Sequence, residues 1–376
     1  MAGLFLLLLS HHNSNFAIWY ATYIFPIFPR TVGWFFGLFP FSVFEILLIL
    51  IILYLLWGCI FTIINLRSMQ GRVKLITCVK IISLRFFYFL SILFLIFVLT
   101  AGINYNRESY ADHIGITVQD SSTNELIQLY LLLIERAEFL AEQIEIDDNG
   151  HFVLDRIGLY DHARQSMRNL NSLHGGLGTY FPRAKAPLLS RLALSNLNIS
   201  GFFSPWTMEA NYNGDMPGQR IPFTINHELA HVVGQMREDE ANFVAYLASR
   251  NSEHVDFKYS AVYVALSYTL NALRRNLTPE QYSKLLSLLP AQLLRDFIFA
   301  TAYWQAFQGP VAELQSRIND AYLRLNQQED GVQSYGRMVD LLLAYYRAQN
   351  KISVSSNFVE RENIQSIEEG GNYDHI

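Results

Sequence analysis

Two stretches of this chain are charge-free and apolar over the length of a membrane span, and they restrict its possible folds more than anything else in it. Ile46 to Leu66 reads ILLILIILYLLWGCIFTIINL, and Phe86 to Ile103 reads FFYFLSILFLIFVLTAGI. About 20 apolar residues rising roughly 1.5 Å each span a hydrocarbon core as a helix, which satisfies its own backbone N–H and C=O groups. A buried soluble hairpin would seldom stay charge-free on every face, so both stretches are read as transmembrane helices. Composition supports this: 16% of the 376 residues are charged and 51% are hydrophobic, against about 25% charged in an ordinary soluble domain.

Between the two spans lie Arg67, Arg72, Lys74, Lys80 and Arg85, with no acid. The positive-inside rule places this connection in the cytoplasm, so the chain after Ile103 is expected to be extracytoplasmic, in a multi-pass protein of the cell membrane. The formal net charge of -5 hides an asymmetry: residues 1–103 sum to +5 and residues 104–376 to −10. An acidic domain on a basic membrane segment excludes a nucleic-acid binder held by phosphate contacts. A disulfide scaffold is excluded too, because Cys59 and Cys78 both lie in the membrane-proximal third. Leu4–Leu9 is too short to span alone and lacks the basic flank and small-residue site of a cleaved signal peptide. Either it ends a first helix or it lies in the interface with Phe16–Phe28, which Pro26 and Pro29 interrupt. Glu45, at the lip of the first span, is expected to snorkel to the interface.

The expected organisation is therefore 1–42 as an N-terminal membrane or interfacial segment and 43–103 as two transmembrane helices with a basic loop. A folded domain over 104–350 and a polar tail over 351–376 follow. In the domain, Ser122 or Thr123 caps a helix running to about Glu145, with Leu126, Leu129, Tyr130, Leu133, Ile134 and Leu140 on one stripe. Asp147-Asp148-Asn149-Gly150 ends it. A second helix is expected over 159–170. Residues 201–213, GFFSPWTMEANYN, have extended character, and helical patterns then cover 223–235, 238–250, 257–275, 279–307, 310–327 and 335–348.

One motif carries chemistry. His227-Glu228-Leu229-Ala230-His231 is an HExxH sequence. Residues four apart share a helix face, so both imidazoles can meet one metal ion, with Glu228 beside them to accept a proton from metal-activated water. Asn226 or Thr224 offers a cap, and Leu229, Val232 and Val233 a buried face. The bland reading is two satisfied histidines on an ordinary helix. In a straight helix Glu238 would stand about 10 Å beyond His231, too far to share an ion, so the helix must end or bend, and Gly234 is placed to allow it. A second helix starting near Glu238 then presents that carboxylate to the metal; as a plain first-turn acid it would instead serve only the helix dipole. Glu240 points elsewhere and is the weaker alternative. Asn242, four residues after Glu238, shares its face and can orient a ligand. Tyr246, Tyr259, Tyr263 and His254 are available to stabilise a transition state, without grounds for choosing among them.

HELAHVVGQMREDEANFVAYLA resembles the signature of an uncharacterised bacterial membrane-protein family of unknown function, which has a transmembrane N-terminus and a gluzincin-like outer domain. The likeness continues through FPFSVFE (39–45), FFSPWTMEANYN (202–213), PFTINHELAH (222–231) and DGVQSYGRMVDLLLAYYR (330–347). The Glu-x-x-Ala-Asn element is also similar to that of gluzincins that cleave phage repressors and to the Glu-x-x-Ala-Asp of membrane CAAX-processing and heat-shock peptidases. Asn242 stands where the membrane peptidases have Asp, and the His-to-Glu spacing is shorter than in most gluzincins. The resemblance implies Zn2+ held by His227, His231 and Glu238, with Glu228 as catalytic base. It also implies an extended edge segment ahead of the active helix, along which a substrate adds as a strand; Phe203 to Asn213 is the stretch that fits, and a packed aromatic loop is its bland reading.

The expected fold class is thus mainly α: a transmembrane helical N-terminus followed by a mostly helical, gluzincin-like domain with a short extended β edge. The expected function is a membrane-anchored zinc metallopeptidase acting on extracytoplasmic peptides or proteins, with the lipid bilayer as its other partner and no nucleic acid. The alternative is a non-catalytic membrane receptor or assembly protein whose metal only braces the fold.

Overall fold

A computed structural model describes residues 1–65, 69–189, 191–326, 328 and 330–352; from 353 on, the tail expected over 351–376 lies outside the described residues. The chain is mostly helical, with one small two-stranded sheet among the described residues.

Helix α1 (Ala2–His12) is too short to span and packs on the second of two long apolar helices, with Gly3 against Phe94. Helices α2 (Val43–Asn65) and α3 (Met69–Thr100) supply two windows, Val43–Asn65 and Ser83–Thr100, that are long and apolar enough to cross a membrane. The basic connection is not the loop expected. The chain is already helical at Met69, so Arg72, Lys74, Lys80 and Arg85 lie along α3, where no proline interrupts the backbone hydrogen bonds. At its other end α3 stops at Thr100, and Gly102–Asn106 tightens into a 3-10 turn that buries Ile103, Asn104 and Tyr105.

The start of α2 is pinned to the rest of the fold by carboxylates. Glu209 accepts the N–H groups of Val43 and Phe44 at 3.0 and 2.8 Å, which are orphan donors at a helix N-terminus and favour negative charge. Glu209 also pairs with Lys185, which is buried and donates to the Phe36 carbonyl at 2.7 Å. Glu45 does not snorkel. It is buried and accepts the N–H groups of Leu188 and Leu189 at 2.6 and 2.8 Å, because that loop brings two backbone donors to its carboxylate. Residues before α2 join the same core: Ala17, Tyr20 and Phe25 are buried with the helices that follow.

Helix α4 (Thr123–Ala141) opens on a capping box formed by Ser122 and Glu125 and buries the predicted stripe. It ends four residues before Glu145, and Gly150, with φ 77°, closes the turn that follows. Helix α5 (Leu159–His174) precedes a hairpin of β1 (Gly201–Ser204) and β2 (Glu209–Tyr212), antiparallel with Gly201 opposite Tyr212 and Ser204 opposite Glu209. Helix α6 (Ile221–Val232) lies between this hairpin and α7 (Glu238–Arg250) and is buried along its whole length; α8 (Val255–Asn276) packs on α4 and α7. The single helix expected over 279–307 is two, α9 (Pro279–Leu286) and α10 (Ala291–Gln305), at 115° to each other. Pro290 has no N–H and pushes Leu289 out of the helical region, which accounts for the break. Helix α11 (Pro310–Leu325), a 3-10 turn over Gly331–Arg337 and α12 (Met338–Ala348) are the last of the described elements.

Candidate metal centre

Helix α6 starts at Ile221, earlier than its sequence pattern suggests. Pro222 sits in the first turn, where its missing N–H costs nothing. Neither Thr224 nor Asn226 caps it. Asn226 is buried and donates to Ser166 Oγ at 3.0 Å and Ser249 Oγ at 2.9 Å, tying α5, α6 and α7 together. The helix ends as Gly234 predicts: its φ is 94°, and the Gln235 N–H reaches back to the Ala230 carbonyl at 3.0 Å, a left-handed glycine stop. A Cβ on Gly234 would lie 2.9 Å from the Phe25 ring, so both conformation and space require glycine. The chain turns within these few residues and α7 begins at Glu238, whose N–H is received by Gln328 Oε1 at 3.1 Å.

This turn brings three buried groups together. His227 Nε2 and His231 Nε2 are 3.0 Å apart, and Glu238 Oε2 lies 3.1 Å from the first and 3.6 Å from the second. Among the described residues, His227, His231 and Glu238 form the group that can hold a metal ion. Tetrahedral coordination with bonds of about 2.0–2.1 Å puts neighbouring donors about 3.3 Å apart, and the three distances bracket that value. His231 Nδ1 lies 2.7 Å from the Gln235 carbonyl. A carbonyl only accepts, so Nδ1 carries a proton, and Nε2 is the ring nitrogen turned to the centre. Asn242 lies beside the His227 side chain and also donates to the Tyr268 hydroxyl at 3.5 Å. Glu240 takes no part: its carboxylate accepts the N–H groups of Tyr110 and Ala111 at 2.8 and 3.3 Å.

The electrostatics follow from burial and these contacts. Burial alone would raise the Glu238 carboxyl, but the charge of His231 and hydrogen bonds from both imidazoles outweigh it and hold the group well below the usual carboxylate range. Burial would likewise lower His231; the charge of Glu238 reverses this and brings it up to about 9. His227 is lowered, chiefly by burial. Glu228 is pushed up to about 8 by burial, and its Oε2 is buried without a hydrogen-bond partner.

Glu228 leans on β1: a Cβ on Gly201 would fall 2.5 Å from Glu228 Oε1. The expected single edge segment is a hairpin, in which β1 borders a cavity of about 420 Å³ that also receives His227, Glu228, His231 and Glu238. On its other side β2 meets Lys185 through a parallel bridge, so β1 is the free edge. The Asn213 N–H bonds to the Ser200 carbonyl; by the alternation of an antiparallel pair, Gly201 and Phe203 direct their N–H and C=O groups away from β2.

The four proposed stabilising residues are placed elsewhere. Tyr246 pairs with Tyr346 at 2.5 Å, Tyr259 donates to Asp296 at 2.5 Å, Tyr263 packs on Phe297, and His254 stacks on His162. The cavity is lined instead by Tyr105, Arg220, Tyr268 and Tyr322. Sequence reading missed these because they come from four separate elements with no common spacing.

Fold and site together define a mainly helical protein with two membrane-length helices and a buried His–His–Glu group able to take a metal. A family model described as Protein of unknown function (DUF3810) matches residues 20–343, and the chain belongs to that family. No curated protein and no solved structure matches it.

Proposed function

We propose that the protein is a membrane-anchored, zinc-dependent peptidase of gluzincin-like design, acting on extracytoplasmic polypeptide. The observation that carries this reading is the placement of Glu228: a buried carboxylate with an unpartnered oxygen, between a three-donor group and an open strand edge in one cavity. A purely structural zinc site is usually closed by four protein ligands and needs no base. Zinc at these donors supplies a Lewis acid that polarises a carbonyl and lowers the pKa of coordinated water toward about 7.

The chain's own residues supply the rest. The outward groups of Gly201 and Phe203 can receive an extended peptide as an added strand, which places its backbone beside Glu228. Glu228 takes a proton from water and returns it to the leaving amine, and burial raises its affinity for that proton. Asn242 and the Gln235 carbonyl hold the two imidazoles in register.

The test compares wild type with Glu228→Gln for cleavage of an unstructured protein while zinc content is measured. Loss of cleavage by about a hundredfold or more, with zinc retained, is the expected result. Equal behaviour of the two proteins with metal bound would favour the bracing role of a receptor or assembly protein.

A further inference from the structure

Helix α11 divides its circumference three ways. At roughly 100° per residue, Ala312, Ser316, Asn319 and Leu323 fall on one side, where Ala312 and Leu323 are buried. Glu313, Arg317, Asp320 and Arg324 fall on the far side, with Arg324 bonded to Asp320 at 2.7 Å. The remaining edge is Val311, Leu314, Ile318 and Leu325, exposed by 58, 59, 61 and 85%. A contiguous bare aliphatic edge marks an interaction surface, and one lying beside a charged face is the pattern of a helix seated in a membrane interface.

Its surroundings say what covers it. Tyr322, at the margin of that edge, packs on Phe97 with ring centroids 6.4 Å apart, and Phe97 belongs to the membrane-length window Ser83–Thr100. The Tyr322 hydroxyl also meets that of Tyr105 at 3.0 Å, just past the end of the same window. Trp206 donates to the Leu93 carbonyl further along it, so the folded domain rests on the membrane helix. The bare edge of α11 is therefore continuous with surface that the spans place in lipid. The other side of the helix, through Gln315, Ser316, Asn319 and Tyr322, walls the cavity of the metal centre.

We infer that α11 is an interfacial helix whose Val311–Leu314–Ile318–Leu325 edge lies in the lipid surface, so that the cavity opens at the membrane and takes polypeptide held there. The substrate half of this inference rests on the peptidase reading; the docking of the helix does not.

Two measurements on the full chain in phosphatidylcholine–phosphatidylglycerol vesicles test it. In a Cys59→Ser, Cys78→Ser background, nitroxides are attached at Leu314→Cys, Ile318→Cys, Arg317→Cys or Asp320→Cys. The first two should be relaxed by lipid-soluble oxygen and shielded from a water-soluble nickel chelate, and the last two the reverse. Equal chelate access at all four would overturn the docking. The second measurement follows one fluorogenic peptide, either free or palmitoylated into the vesicles. The anchored form should turn over about tenfold faster, and Ile318→Asp should remove that advantage while leaving the free peptide unchanged. Equal rates in wild type, or an advantage that survives Ile318→Asp, overturn the membrane route while leaving hydrolysis intact. Should zinc-loaded wild type cleave neither peptide, the peptidase reading fails and takes the substrate half with it, and the nitroxides alone decide the docking.

Discussion

Gly201 shows how a residue without a side chain can shape the candidate site. An added Cβ would stand 2.5 Å from Glu228 Oε1, 2.7 Å from Thr224 Cγ2 and 2.9 Å from the Asn211 carbonyl. Something must shift, and the carboxylate or the strand edge is what can. Gly201→Ala is therefore expected to lower peptide turnover about tenfold or more while zinc content stays near wild type; unchanged turnover would mean that strand and carboxylate separate freely. His231 makes the opposite prediction. Its Nδ1 is committed to the Gln235 carbonyl and its Nε2 to the centre, so His231→Ala removes a donor and an anchor of the turn together. Metal analysis should then fall from about one equivalent to a small fraction, since two remaining donors hold zinc poorly. The motif spacing announces both histidines, but nothing in it announces Gln235, whose contribution is a backbone carbonyl common to every residue type.

At the level of elements, two ion pairs, one buried and one partly buried, hold helices in place. Lys185 and Glu209 are both buried, and Glu209 also receives the first N–H groups of α2. Glu209→Ala leaves Lys185 without its carboxylate partner in the interior and frees the start of α2. A loss of about 3–5 kcal/mol is expected, seen as a lower unfolding midpoint in detergent. Arg347 of α12 bonds to Glu125 at 2.6 Å and to the carbonyls of Gln119 and Asp120, closing α12 onto the N-terminus of α4. Burial would raise the Glu125 carboxyl, but its hydrogen bonds to Arg347 and Ser122 outweigh this and lower it. A carboxyl depressed in the folded state contributes stability above its unfolded value, and that contribution is lost as pH falls through the folded one. Acid titration of unfolding should show this loss in wild type, and Arg347→Met should diminish it while lowering stability at neutral pH. A mutant with the same acid profile would assign the effect to other groups. Capping box and apolar stripe made α4 legible in the sequence; the Arg347 contact, 222 residues away along the chain, had no local signal.

For the whole molecule, orientation is the open physical quantity. Five basic residues and no acid separate the two spans, Ser10–Ser42 holds only Arg30, and the domain beyond Ile103 sums to −10. Cationic connections stay inside, and an acidic domain would be repelled by an anionic inner leaflet. A reporter fused after Asn350 should therefore show phosphatase activity and no green fluorescence. Fluorescence without phosphatase activity would reverse the topology and move any substrate to the cytosol.

Amino-acid order alone determined the parts of this protein that local physics controls. Two charge-free runs must bury their backbone polar groups in helices wherever they lie, and a four-residue spacing must put His227 and His231 on one face. Gly234 marks where that helix turns, which is why Glu238 could be named as the third donor. The break at Pro290 was also local, and a continuous apolar pattern masked it. Tertiary structure alone decided that Glu45 is a buried anchor, that residues 201–212 pair with each other, and that Tyr105, Arg220, Tyr268 and Tyr322 line the cavity. Such neighbours come from distant points of the chain. Packing of the whole core sets their distances, whereas periodicity reports only which face of its own helix or strand a residue occupies.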